Sequence, residues 1–142
     1  MGNHAVFTFD PKPTNTTIGI YVHWNGGPES AYAFAKAMDA LAVRADSCYE
    51  VGRAVQMIGN YFGGILSLGC VTLREASKMG LDNGVIRITR GKGEPEIAQC
   101  LDWKPKADFI VIHTELLQNH PYNKEGALVN DILEKNKMFK EK

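Results

Sequence analysis

The chain has 142 residues, of which 44% are hydrophobic, so it is long and apolar enough for one domain with a buried core. Its 16 Lys and Arg residues balance its 16 Asp and Glu residues. This balance disfavours binding to duplex nucleic acid, because a non-specific grip on phosphates normally needs a basic excess. No apolar run reaches the roughly 20 residues of a membrane helix, and residues 1–4 do not begin a signal peptide. These features predict a single domain spanning residues 1–142, in the cytoplasm and without membrane contact.

The cysteines and histidines are too scattered to predict a disulfide framework or a metal site. The three cysteines are widely spaced and form no CxxC pair. Free thiols in a reducing compartment therefore fit better. The four histidines do not fall at metal-ligand spacings either. We assign no metal and no cofactor to the residues concerned: Cys48, Cys70, Cys100, His4, His23, His113 and His120.

The first elements lead into a glycine turn. Ala5–Phe9 and Ile18–Trp24 are predicted strands, and the second can return antiparallel to the first. Asn25-Gly26-Gly27 then permits a tight turn, and Pro28 suits the first position of a helix. A helix that begins after such a turn presents backbone N–H groups to an anion. The alternative is a compact connection that needs glycine only for its shape.

Two consecutive helices follow. The first is predicted from Glu29 to Arg44, with an apolar face formed by Ala31, Phe34, Met38 and Leu41. Asp46-Ser47 resembles an N-cap for the second helix, Tyr49 to Phe62, whose apolar stripe is Val51, Val55, Ile58 and Phe62.

The second helix also carries four polar or aromatic side chains spaced by four, three and four residues: Tyr49, Arg53, Gln56 and Asn60. A ring, a guanidinium and two amides suit the stacking of a base and the binding of a phosphate or ribose. The alternative is a solvated helix face. Gly52 and Gly59 each cost about 1 kcal/mol relative to Ala in a helix, which suggests close packing or close approach of a ligand.

The rest of the chain alternates short strands with turns. Predicted strands cover Ile65–Val71, which is mostly buried, Val85–Thr89 and Phe109–His113. In Val85–Thr89, Ile86 and Ile88 are predicted to point inward and Val85, Arg87 and Thr89 outward. Glu96–Trp103 is either a strand or an irregular edge. A short helical segment lies within Thr72–Gly80, and a terminal helix from Asn123 to Phe139 carries Leu128, Ile132 and Leu133 on its apolar side. We predict an α+β fold with a mainly antiparallel sheet of about four to six strands, two consecutive helices packed on it and a C-terminal helix.

Arg90-Gly91-Lys92-Gly93 is a basic, glycine-rich stretch. Such a backbone could wrap a phosphate, but the Walker pattern is absent, since Glu94-Pro95 follows in place of a helix start. A hairpin or mobile loop is the favoured interpretation.

An enzyme would need a nucleophile or a base with a second catalytic side chain beside it. His23, Cys70 and His113 all fall on predicted strands, so a Cys/His pair is conceivable, but no catalytic motif supports it. Binding without catalysis is therefore favoured, with a protein-interaction module as a further possibility.

Three runs of the sequence resemble small proteins encoded by bacteriophages and prophages. They are Tyr21-Val22-His23-Trp24-Asn25-Gly26-Gly27-Pro28-Glu29-Ser30, Val55-Gln56-Met57-Ile58-Gly59-Asn60-Tyr61-Phe62-Gly63-Gly64 and Asp82-Asn83-Gly84-Val85. The resemblance covers Ile18 to Ile88, and residues after Gly91 depart from it. It implies an anti-defence role in an infected bacterium, either as a sponge for a nucleotide immune signal or as an inhibitor that binds a defence protein.

These observations predict a self-associating protein that sequesters a nucleotide-like anionic ligand, such as a cyclic oligonucleotide or an ADP-ribose derivative, without cleaving it. The alternatives are an inhibitor of a host defence protein and, third, a small hydrolase. The predicted ligand contacts are Trp24, Asn25, Gly26, Gly27, Tyr49, Arg53, Gln56 and Asn60, then less firmly Arg87 and Arg90.

Overall fold

A computed structural model describes residues 3–63 and 67–138, without the side chains of residues 47 and 48. Its strands are β1 (Ala5–Thr8), β2 (Ile18–Val22), β3 (Leu68–Thr72), β4 (Val85–Thr89), β5 (Glu96–Cys100) and β6 (Ile110–Ile112). They form one sheet in the order β3-β2-β1-β4-β5-β6. All neighbours are antiparallel except β1 and β4, which are parallel. The α+β fold with a mainly antiparallel sheet is thereby confirmed.

The helices are α1 (Pro28–Ala40), α2 (Ser47–Phe62), α3 (Leu73–Ala76), α4 (Thr114–Gln118) and α5 (Ala127–Lys135), with a 3₁₀ segment at Pro121–Gly126. As predicted, α1 and α2 follow β2 consecutively and a C-terminal helix is present. The structure adds that the C-terminal helix packs on α1. The predicted terminal helix was too long at its start, because Asn123 belongs to the 3₁₀ segment. Its predicted end, Phe139, lies outside the described residues.

The main core lies between the helices and one face of the sheet. Strand residues at alternate positions meet the apolar faces of α1, α2 and α5 there, as the periodicity predicted. The largest fully buried members are Phe7, Phe34, Ile20, Met38, Met57, Ile58, Ile86, Ile88, Ile97 and Ile132.

The opposite face of the sheet is also covered, which corrects one prediction. Val85 was expected to face outward, but it is buried with Val6, Leu73 and Trp103 in a second apolar cluster. The Trp103 indole N–H donates to Asn15 Oδ1 at 3.1 Å. A single strand pattern does not show this second layer, because the residues that build it come from distant segments of the chain.

The edge strand β3 is only partly buried, with Cys70 exposed, so the prediction of a mostly buried third strand is wrong for its described part. Residues 64–66, where that strand was predicted to begin, lie outside the described residues. The loop at residues 90–93 joins β4 to its antiparallel neighbour β5, which confirms the hairpin interpretation.

Helix α1 ends at Ala40, although its sequence predicted helix as far as Arg44. Ala42 takes a left-handed backbone conformation with φ of 56°, and the Val43 N–H then donates back to the Met38 carbonyl at 3.0 Å. This termination turns the chain sharply and creates the loop of residues 41–46. The start of this loop borders a cavity that is described below.

Candidate functional site

A cavity of about 590 Å³ opens between the α1–α2 loop and one face of α2. Its volume lies within the usual range for small-molecule sites. The lining residues are Leu41, Ala42, Val43, Arg44, Tyr49, Arg53, Gln56 and Met57. We call it the α1–α2 cavity.

Three of the predicted contacts, Tyr49, Arg53 and Gln56, line this cavity together. They lie on one face of α2 because residues three and four apart in a helix are neighbours. The N-cap is Asp46, as predicted, and its carboxylate accepts from the Tyr49 N–H at 3.3 Å. The helix therefore begins at a defined point and holds the Tyr49 side chain at the mouth of the cavity.

The cavity presents a cation that no described side chain neutralises. The Arg53 side chain is exposed, and no carboxylate of the described residues lies within ion-pair distance of it. Arg44 sits differently: its guanidinium lies 4.8 Å from the centre of the Tyr49 ring and 3.1 Å from the Asp46 carboxylate. The cavity thus combines an aromatic ring, an amide and an unpaired guanidinium.

Sequence reasoning missed Arg44 and the loop residues 41–43 because they were assigned to the interior of a longer helix. The Arg44–Asp46 spacing next to an N-cap was the available signal. It could not be interpreted without knowing where α1 ends.

Asn60 does not line this cavity, although it shares the spacing of the other three residues. Its amide donates to Asn136 Oδ1 at 3.0 Å, and Asn136 is fully buried after α5. The amide of Asn136 in turn donates to the Met57 carbonyl at 3.1 Å. Asn60 is therefore part of the connection between α2 and the end of α5.

Arg90 is not available to a ligand, because its side chain is only 3% exposed. The guanidinium donates to Asp39 Oδ1 at 3.0 Å, to Glu50 Oε2 at 2.8 Å and to the Val43 carbonyl at 2.8 Å. Arg90 thus joins the end of β4 to α1, α2 and the loop that borders the cavity. Burial raises the pKa of Glu50 above its ordinary value and outweighs the opposing effect of Arg90.

Arg87 lies on the other face of the sheet from α1 and α2. Its guanidinium lies 4.9 Å from the centre of the Phe109 ring and 3.8 Å from the Glu96 carboxylate. The predicted grouping of Arg87 with the residues of α2 is therefore not present in the fold.

The glycine turn is also separate from the α1–α2 cavity. Gly26 is required because its backbone N–H donates to the Asn3 carbonyl at 2.9 Å, and a Cβ would collide with that oxygen. A Cβ on Gly27, the N-cap of α1, would collide with the Glu29 carboxylate. The start of α1 is thus covered by the protein's own carboxylate. Pro28 occupies the first helical position, as predicted.

Asn25 and Trp24 have different surroundings. Asn25 borders a second cavity of about 560 Å³ with Tyr61 and Asp131. Burial, followed by the charge of Asp131, raises the pKa of Tyr61, while a hydrogen bond from Asn25 opposes this shift. Trp24 is 45% exposed and packs edge-on against His23, with ring centres 4.8 Å apart.

The two glycines of α2 differ in their surroundings. A Cβ on Gly52 would have no neighbour within 4 Å, so close packing does not explain this residue. A Cβ on Gly59 would make ordinary contact with the Leu68 side chain at 3.4 Å.

The residues considered for catalysis lie apart, and Cys70 does not pair with His113. Cys70 lies on the edge strand β3, and His113 follows β6 at the opposite edge of the sheet. His23 instead shares a hydrogen bond with Tyr21 Oη at 2.9 Å, and its ring is tilted against that of His4, with ring centres 5.0 Å apart. Asp82 lies 3.1 Å from His4 Nδ1, a contact that the sequence did not suggest.

Within the described ranges, no group of three or more His, Cys, Asp or Glu side chains is arranged to hold a metal ion. Nor does any helix of residues 3–63 or 67–138 combine the length and apolar character that crossing a membrane requires. The chain matches no protein family, no curated protein and no solved structure with which it was compared.

Proposed function

We propose that the protein binds a small, anionic, nucleotide-like ligand in the α1–α2 cavity and holds it without chemical change. The observation that carries the proposal is the unpaired Arg53 guanidinium, which lines the cavity beside Tyr49 and Gln56. A guanidinium favours phosphate oxygens, and a tyrosine ring favours the face of a base.

The cavity contains polar groups for recognition but offers no set of side chains for bond cleavage. Its ionisable members are two arginines and one tyrosine, and an arginine stays protonated at neutral pH. Among the described side chains that line it, there is neither a nucleophile with a neighbouring base nor a pair of carboxylates. This chemistry favours capture of a ligand over its hydrolysis.

The biological role that we propose is the sequestration of a nucleotide-derived immune signal, of the cyclic oligonucleotide or ADP-ribose class, in a phage-infected bacterium. The resemblance of the glycine-rich runs to phage and prophage proteins supports this part of the proposal. The cavity chemistry supports the ligand class.

The test is calorimetric titration of the purified chain with cyclic dinucleotides, cyclic trinucleotides and ADP-ribose isomers. The recovered ligand is then analysed by chromatography. We expect tight binding of at least one member and recovery of that ligand intact. A converted product would identify an enzyme and overturn the proposal. Absence of binding to every ligand of the panel would also overturn the proposal and would direct the search to a protein partner.

A further inference from the structure

The outer edge of β6 has no neighbouring strand among the described residues. β6 ends the sheet and pairs only with β5, through Ile110, Val111 and Ile112. An unpaired strand edge is a template for another strand, and proteins block such edges with lysine, proline, a bulge or a very short strand. β6 is protected only by its length of three residues, since these include neither lysine nor proline.

This edge is also apolar. Ile110 is 70% exposed, Val111 is 52% exposed, and Leu101, which borders a cavity with Ile110, is 69% exposed. That cavity, of about 520 Å³, also contacts Ile112. Exposed apolar side chains beside unpaired backbone groups are typical of a surface that another chain covers.

We propose that two copies of the chain pair antiparallel through β6, about a twofold axis at Val111. The sequence Ile110-Val111-Ile112 is the same in both directions, so it is complementary to itself under twofold symmetry. In this register Val111 faces the partner's Val111, and Ile110 faces the partner's Ile112. The partner's two isoleucines then extend the apolar wall of the cavity bordered by Leu101, and the two sheets become one.

The charges beside β6 favour the same orientation. Over residues 104–109, directly before the strand, Lys104 and Lys106 outnumber the one carboxylate, Asp108, and Asp102 lies further away; Glu115 follows the strand. An antiparallel pair brings the basic end of one strand towards the acidic end of the other. A parallel pair would place ends of like charge together.

The test uses opposite charges at the position on the axis. Light scattering after gel filtration should give the wild-type chain twice its mass of 15.7 kDa. Val111→Lys and Val111→Glu should each give the single mass, since each places two like charges opposite one another across the axis. An equal mixture of the two variants should recover the doubled mass, because a lysine then faces a glutamate. Met79→Lys, which changes an exposed apolar residue after α3, should keep the doubled mass.

Circular dichroism melting of each variant checks that the chain stays folded, which is expected because Val111 is half exposed. A monomeric wild-type chain would overturn the proposal, as would a dimeric Val111→Lys variant. A mixture that stays monomeric would exclude the antiparallel register and the proposal with it. This interface shares no residue with the α1–α2 cavity, so its failure would leave the proposed ligand site unaffected.

Discussion

Arg90 shows how one buried charge can shape a cavity without contacting a ligand. Its guanidinium binds the Val43 carbonyl, and Val43 borders the α1–α2 cavity. It also neutralises Glu50, whose side chain is only 8% exposed. A buried charge that loses its partner is strongly destabilising, because no water replaces the lost hydrogen bonds.

Replacement Arg90→Ala is therefore expected to lower the free energy of unfolding by about 3–5 kcal/mol. Urea unfolding followed by circular dichroism measures this change. Arg87→Ala on the same strand is the control, and it should cost about 1 kcal/mol or less, because Arg87 is only loosely paired with Glu96. Equal losses in the two variants would show that the buried network does not carry the stability assigned to it.

Glu94 forms a second network of side chains, against the middle of α1. It accepts from Lys36 Nζ at 2.6 Å, from the Tyr32 hydroxyl at 2.7 Å and from Gln118 Nε2 at 2.7 Å. The bond from Lys36, then the one from Tyr32, lowers the pKa of Glu94 below its ordinary value. The β4–β5 loop is thereby attached to α1 and α4.

This lowered pKa predicts how stability depends on pH. Below the ordinary pKa of about 4.5, the unfolded chain takes up a proton at Glu94 while the folded chain does not. The stabilisation is therefore present above that pH and is lost as the pH falls through the folded-state value. Glu94→Gln should flatten the fall in unfolding free energy between about pH 5 and pH 3, measured by urea unfolding at several pH values. An unchanged slope would contradict the assignment.

At the scale of the elements, the end of α1 determines the shape of the α1–α2 cavity. Ala42 adopts φ of 56°, a conformation that favours glycine. The chain carries alanine there, so the termination is maintained against local preference by the surrounding contacts, including the bond from Arg90 to Val43.

Ala42→Gly should therefore raise the free energy of unfolding, by about 0.5–1 kcal/mol. The left-handed conformation costs a residue with a Cβ about 1–2 kcal/mol, and the greater freedom of glycine in the unfolded chain offsets part of that gain. The neighbouring Ala40→Gly, at the last residue of α1, should instead lower stability, by less than the roughly 1 kcal/mol that glycine costs in a helix interior. Thermal melting shows whether each variant is more or less stable than the wild-type chain. Destabilisation by Ala42→Gly would contradict the account.

Local patterns predicted the elements and their faces but not their ends. The N-cap at Asp46 and the apolar stripe of α2 depend on spacing within one helix, and all four predicted stripe residues pack in the core. The stripe nevertheless left out Ala54 and Met57, which are fully buried. The end of α1 did not follow from sequence, because Ala40 to Arg44 are acceptable in a helix and tertiary contacts decide against it. The burial of Val85 was missed for the same reason.

The candidate site was predictable only in its part on α2. Tyr49, Arg53 and Gln56 meet because they share one helix, whereas Arg87 and Arg90 come from a strand whose packing the sequence did not reveal. Their positive charge alone suggested ligand binding. In the fold, Arg87 lies across the sheet from α2, and Arg90 is neutralised by Asp39 and Glu50.

At the scale of the whole molecule, the overall charge is zero, so long-range attraction contributes little to binding an anion. Recognition must then come from the local arrangement in the α1–α2 cavity. This makes the account dependent on a single cation, Arg53, which no described carboxylate neutralises.

The measurement that tests this account most directly compares two exposed arginines. Arg53→Ala and Arg74→Ala each remove one such arginine, but only Arg53 lines the cavity. The ligand that the wild-type chain binds is titrated into each variant by calorimetry. Arg53→Ala should raise the dissociation constant by about tenfold or more, because a charge-assisted hydrogen bond contributes about 1.5–3 kcal/mol. Arg74→Ala should match the wild type, and both variants should unfold at the wild-type temperature. Wild-type affinity in Arg53→Ala, or equal losses in both variants, would contradict the assignment of the ligand to the α1–α2 cavity.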